Sequence, residues 1–226
     1  MDTKTLSRRK FLQASGLTGT ALCLGYYFPA SAGVVKILNP VAETTAVELN
    51  AWIRIDTLGK VTIFSHRAEM GQGAYQAIPQ IIAEELEVNL DEVEILFAIG
   101  DKKYGNQVTG GSSTVRNSYK NLLNLGASAR EMLIEAASKK WGVPKTECYA
   151  EAGHVIHRPS GRKFHYGELV LDASKLEAPK EVKLKARSEY KLIGKPLRRQ
   201  DTPLKTNGTA VFGLDKKIPG MLYAVV

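Results

Sequence analysis

The residues whose types and spacing could do chemistry lie in two glycine-rich loops. The first is Glu69-Met70-Gly71-Gln72-Gly73, a glutamine between two glycines just before a helical pattern. Glycine admits positive φ and lets a ligand approach the backbone closely. Free N–H groups at a helix start favour an anion or a strong hydrogen-bond acceptor. Gln72 adds both an amide donor and a carbonyl acceptor. Alone this is a weak signal, because glycine turns before helices are common and most only connect. The second loop is VTGGSSTVR, residues 108 to 116. Ser112, Ser113 or Thr114 could cap the helix that follows. The same layout makes a nest of donors able to hold a phosphate. No Gly-Lys-Ser/Thr follows, so it is not a P-loop. Two such loops, each between a strand and a helix, favour a phosphate-bearing cofactor more than either does alone.

Other reactive side chains form no recognisable constellation. Glu69 is either a base beside the glutamine or a residue that packs on the helix start or faces water. His66, His154, His157 and His165 show no metal-ligand pattern, and His154 and His157 are expected on the surface of a hairpin. Ser112 and Ser113 have no evident Ser-His-Asp arrangement. The cysteines are Cys23 and Cys148, with no spacing that suggests a disulfide, zinc or an iron–sulfur cluster. The net charge is +8, part of it in the first 32 residues, where Lys4, Arg8, Arg9 and Lys10 oppose only Asp2. The remaining cations are scattered among acids, so the clustered stripe of a nucleic-acid binder is missing.

The elements that must position the two loops follow from local pattern. AWIRI and VTIFS flank DTLGK and predict a hairpin. After the glutamine, Ala77, Ile78, Ile81, Ile82 and Leu86 fall at helical spacing. Pro79 should lie in the first turn of that helix or kink it. DEVEILFA predicts another strand. A long helix spans about Val115 to Trp141 and is stopped by WGVP. Short strands follow around residues 147–166, then a helix at YGELVLDASKLE, then a strand or linker at 178–190. The last segment is turn-rich with a β-like run at its end. The fold class expected is α+β, with helices packed on a mixed or antiparallel sheet and both loops at one edge. Residues 33–190 form one domain in this reading and 191–226 begin another. The chain stops inside an apolar run, which suggests truncation.

Residues 1–32 read as an address. SRRKFLQ places adjacent arginines before a mildly apolar run too short and too rich in Gly and Thr to span a membrane. The run ends in Ala-Ser-Ala, a small-x-small cleavage pattern. The stretch resembles a twin-arginine export signal, a route for proteins that fold around a cofactor before export.

EMGQGAYQAIPQIIAEELEV, TGGSSTVR and the leader together resemble the molybdopterin-binding large subunits of the xanthine dehydrogenase and aldehyde oxidase family. The likeness is greatest to large chains of the isoquinoline 1-oxidoreductase beta type and covers most of residues 50–226. It implies a molybdopterin-binding domain over 33–190 and the start of an α/β-hammerhead domain at 191–226. It implies that Gln72 hydrogen-bonds the molybdenum cofactor near the metal, with Gly71 and Gly73 allowing close approach. Gly111, Ser112 and Thr114 match positions that contact the pterin dinucleotide, here expected in its cytosine form. The family hydroxylates N-heterocycles or aldehydes with water as oxygen source. Electrons leave through iron–sulfur clusters, in this branch on a small [2Fe-2S] subunit, with a c-type cytochrome as a possible acceptor. The family's glutamate base lies near the C-terminus of a much longer chain, so the likeness places no catalytic residue within these 226. It implies an exported, periplasmic oxidoreductase or, if the base-bearing segment has no counterpart, a non-catalytic module that binds a cofactor or another subunit. A phosphate-ligand binder unrelated to molybdenum is a third reading.

Overall fold

The structure, a computed structural model, describes residues 45–224. The expected leader at 1–32 lies outside the described residues. The central element is a four-stranded sheet in the order β1 (Ala46–Asn50), β2 (Ile53–Asp56), β3 (Val61–Ser65), β4 (Glu94–Phe97). The first three strands form an antiparallel meander, and β4 joins β3 in parallel. The sheet is therefore mixed. Side chains build its turns. The Asn50 amide oxygen accepts from Trp52 N and Ile53 N, each at 3.0 Å. The Asp56 carboxylate accepts from Leu58 N at 3.0 Å and Lys60 N at 2.8 Å. These are local side-chain turns of the kind Asn and Asp favour.

Parallel strands need a crossover, and helix α1 (Ala74–Leu86) supplies it between β3 and β4. Pro79 is the sixth residue of α1 and buried, and the helix continues through it. It sits beyond the first turn, the place expected of a proline in a helix. A 28-residue helix, α2 (Thr114–Trp141), follows β4 and packs along α1. The two helices meet at Gly126, where a Cβ would lie 2.4 Å from the Ile82 carbonyl oxygen. Ile53, Ile55, Ile63, Ile78, Ile82, Leu86, Leu122 and Leu133 are fully buried between sheet and helices. Beside them, Arg130 pairs with the buried Glu85 at 2.7 Å.

A smaller antiparallel sheet of β5 (Cys148–Glu151), β6 (His154–His157) and β7 (Lys163–His165) leads into α3 (Tyr166–Ala173). The buried Tyr166 hydroxyl donates to Leu86 O at 2.7 Å and ties α3 to the end of α1. His157 is not on the surface as expected. Alternation along β6 puts it on the inner face with Val155, where its ring bonds Glu147 at 2.9 Å and Ser160 at 2.7 Å. Residues 178–190 form a linker, not a strand. They lead to a strap over α1 anchored by buried Glu84, which accepts from the amides of Lys191, Leu192 and Ile193. Residues 191–224 contain one five-residue α-helix, α4 (Thr202–Thr206), and no strand; the run at 221–224 is not paired. No helix among the described residues is long and apolar enough to cross a membrane.

Candidate functional site

Both glycine-rich loops leave the carboxyl ends of neighbouring parallel strands, the first from β3 into α1, the second from β4 into α2. In open α/β arrangements this end of the strands is where ligands bind. The loops are joined to each other. Ala68 N donates to Thr109 Oγ1 at 3.2 Å, and the Arg67 guanidinium donates to the Val108 carbonyl. Parallel pairing continues one step past the strands, with Ala98 N donating to Ser65 O at 2.9 Å. Residues 41 apart in sequence are thereby held side by side.

The first loop is wound around Glu69. Its carboxylate accepts from Gly71 N at 2.9 Å, Gly73 N at 3.1 Å and Tyr75 N at 2.8 Å. Gly71 and Gly73 hold φ of 96° and 92°, values that a side chain would strain. The free N–H groups expected at this helix start therefore already serve an anion, and that anion is Glu69. Burial pushes the Glu69 carboxyl up, but the three amides and Arg199 outweigh it and hold it below the usual carboxylate range. Of the two roles open to Glu69, the structure supports the one that packs on the helix start. Gln72 is exposed at the apex. Its Oε1 accepts from Met70 N at 2.6 Å, and its Nε2 donates to Ala68 O at 2.7 Å. The space that a side chain at Gly71 would enter is open for 4 Å.

The second loop has a different shape. Gly111 and Ser112 are consecutive left-handed residues, φ 57° and 52°. Ser113 occupies the cap position of α2, but its hydroxyl turns back to donate to Gly110 O at 2.7 Å. The capping expected of Ser112, Ser113 or Thr114 is not made, because the left-handed pair folds Ser113 towards its own loop. Thr114 is buried as the first residue of α2, while Gly111 and Ser112 are exposed. The first-turn N–H groups of α2 carry no side-chain cap. The buried Arg67 brings a cation to the same edge, with no partner for its Nε. An uncapped helix start, a left-handed pair and a buried guanidinium form a donor set suited to an acceptor-rich, phosphate-bearing ligand. His66, also buried, has no partner for Nδ1; burial first, then the neighbouring Arg67, lowers its pKa to about 4, so the ring is neutral. Among the described residues no group of three or more His, Cys, Asp or Glu is placed to hold a metal directly.

The structure thus brings Gly71, Gln72, Gly73, Gly111, Ser112 and Thr114 to one edge of the sheet. Two participants escaped the sequence reading. Arg67 lies just outside the glutamine motif, and its position at a strand end was the one available signal. Arg199 lies 130 residues from Glu69, which it bonds at 3.2 Å, and had no local signal. Beside the first loop, Gly71, Tyr75 and Phe97 face Leu204 and Phe212 across a cleft of about 860 Å³.

A family model described as molybdopterin cofactor-binding domain matches residues 10–215. The beta subunit of isoquinoline 1-oxidoreductase from Brevundimonas diminuta is 36% identical over 100% of this chain and 34% of its own length. The membrane-bound aldehyde dehydrogenase (pyrroloquinoline-quinone) of Gluconacetobacter polyoxogenes is 34% identical, over 97% of this chain and 29% of its own. A nicotinate dehydrogenase subunit of Pseudomonas putida is 29% identical, over 92% and 17%. The crystal structure of quinoline 2-oxidoreductase from Pseudomonas putida 86 superposes with a TM-score of 0.44 at 23% identity, over 58% of this chain and 17% of that one. The chain spans about a third or less of the length of these curated relatives. With a family model that covers both loops and the helices they open, the chain belongs to the molybdopterin cofactor-binding domain family, as a molybdopterin-binding subunit of the xanthine dehydrogenase type.

Proposed function

We propose that this chain is the cofactor-holding part of an exported molybdenum hydroxylase or dehydrogenase that oxidises N-heterocycles or aldehydes. The observation that carries this reading is the pairing of the two loops at the carboxyl ends of β3 and β4 through Arg67–Val108 and Ala68–Thr109. When bound, the molybdenum cofactor supplies the two-electron oxidation, with water as the oxygen source. Gln72, between Gly71 and Gly73, presents an amide that can donate and accept at the metal end. Gly111, Ser112 and Thr114, with the uncapped start of α2, bind the phosphates of the dinucleotide, in the cytosine form. Arg67, bonded to the Val108 carbonyl, would hold the two loops together beneath the cofactor's donors. Glu69 stays ionised and keeps the first loop coiled. Electrons pass to a small [2Fe-2S] subunit and on to a c-type cytochrome. The leader at 1–32 directs the folded protein to the periplasm by the twin-arginine route, and residues 191–226 open an α/β-hammerhead domain.

A second reading, a non-catalytic cofactor-binding module, is favoured by one observation. Two side chains at the first loop that could serve as a base are committed: Glu69 accepts from the first turn of α1, and His66 is buried. Molybdenum, cytidine nucleotide and pyrroloquinoline quinone contents of the native polypeptide test the cofactor. Molybdenum near one per chain with the nucleotide supports the reading; the quinone without molybdenum overturns it. Gln72→Ala, in a polypeptide with molybdenum-dependent activity, then tests the site against a plain phosphate binder. A loss of activity on the order of a hundredfold, the scale of one lost donor at a reacting centre, is expected of the enzyme. Unchanged activity overturns the assignment of Gln72.

A further inference from the structure

The first loop depends on the distant end of the chain. Three of the hydrogen bonds to Glu69 come from the loop and the first turn of α1. The fourth comes from Arg199, whose guanidinium also grips Asp201 at 2.9 and 2.6 Å. Arg199 is not a loose surface cation. The next residue, Gln200, makes two bonds of its own: its N donates to Gln76 Oε1 of α1 at 2.9 Å, and its side-chain amide donates to the Leu90 carbonyl. Segment 199–201 is therefore fixed to α1 and to the turn before β4, and Arg199 reaches from that base to the loop. It also passes Gly73, where a Cβ would lie 3.8 Å from its Nη1.

Gln72 shares the turn that Glu69 shapes. The Gln72 amide spans Ala68 and Met70, on either side of Glu69. If the carboxylate swings out, the amides of Gly71, Gly73 and Tyr75 lose their common acceptor and the glutamine loses its frame. Ion pairs at exposed sites contribute little, but the Glu69 side chain is 9% exposed and its pair with Arg199 is backed by Asp201. Charge-assisted bonds of this kind are the stronger ones.

We propose that Arg199 is a positioning residue for the cofactor loop, acting through Glu69 to hold Gln72 in place. The proposal rests on the cofactor reading above for its functional half; its structural half stands without it. The test uses the native polypeptide that carries this sequence, with Arg199→Ala and Arg199→Lys. Two quantities are read: hydrogen exchange at the amides of Gly71, Gly73 and Tyr75, with the middle of α2 as folding reference, and molybdenum per chain. Arg199→Ala should speed exchange at the three amides on the order of tenfold, the scale of one charged hydrogen bond, leave α2 unchanged, and lower molybdenum several-fold. Arg199→Lys, which keeps the cation, should move both back towards wild type. Unchanged exchange at the three amides overturns the proposal, and so does faster exchange with full molybdenum. Should Arg199→Ala loosen α2 as well, Arg199→Gln decides, since it keeps part of the stem and a donor but removes the charge that Glu69 faces; unaltered exchange at Gly71, Gly73 and Tyr75 then overturns the proposal. Wild type without molybdenum refutes the cofactor reading, while the exchange measurement still judges the clamp.

Discussion

Replacing Gly126 with alanine sets two known terms against each other. Gly126 lies inside α2, and there alanine is favoured over glycine by about 1 kcal/mol. A surface glycine in a helix would therefore be stabilised by the change. At Gly126, however, the new methyl would lie 2.4 Å from the Ile82 carbonyl oxygen and 3.0 Å from Glu85 Cβ. The first is a backbone atom in α1 and cannot rotate away. The helices must separate by about 1 Å to restore ordinary contact, at the upper end of the ~1–3 kcal/mol that overpacking costs. The net expectation is a loss of about 2 kcal/mol. For a domain of this size that is a fall in Tm of roughly 4–8 °C. Tryptophan fluorescence reports it through Trp52, near the loops, and Trp141, at the end of α2. Gly142→Ala is the control: φ is 67° there and nothing lies within 4 Å, so it carries left-handed strain of about 1 kcal/mol without crowding. A Tm for Gly126→Ala equal to or above wild type would refute the close helix approach and, with it, the way α1 and α2 aim their N-termini at one edge.

Buried titratable groups give two more expectations. His66 has a folded pKa of about 4 against 6.5 for a free histidine, so the unfolded chain binds the proton more readily. Its contribution is complete above about pH 6.5 and declines as pH falls towards 4, by at most about 3.5 kcal/mol at ~1.4 kcal/mol per unit. Urea unfolding at pH 7 and pH 4.5 should show a smaller drop for His66→Phe than for wild type; equal drops would show that His66 is not the group responsible. Glu84→Ala leaves three strap amides without their acceptor and takes one of two carboxylate partners from the buried Lys185, which keeps Glu87 at 2.6 Å, at a cost on the order of 3 kcal/mol. Limited proteolysis should then cut between Lys183 and Lys195 much faster than in wild type, and an unchanged rate would rule out Glu84 as the anchor.

The sequence by itself determined what depends on near neighbours. Apolar spacing located α1 and marked α2 to within a residue of its bounds, because helix periodicity depends on neighbours three and four positions away. The glycines of both loops stood out because positive φ is a property of one residue, and Gly71, Gly73 and Gly111 all adopt it. The hairpin β2–β3 followed from two β-rich runs around one turn. Tertiary structure decided the rest, because it depends on partners that no local window contains. Parallel pairing of β4 with β3 brought the two loops to the same edge. The register of β6 turned His157 inward. The strap over α1 carried Arg199 to Glu69, and so fixed that glutamate as the anion at its own helix start. A sequence displays which residues can bend or bond, but which acceptor a free amide finds is settled only when distant segments compete for it in space.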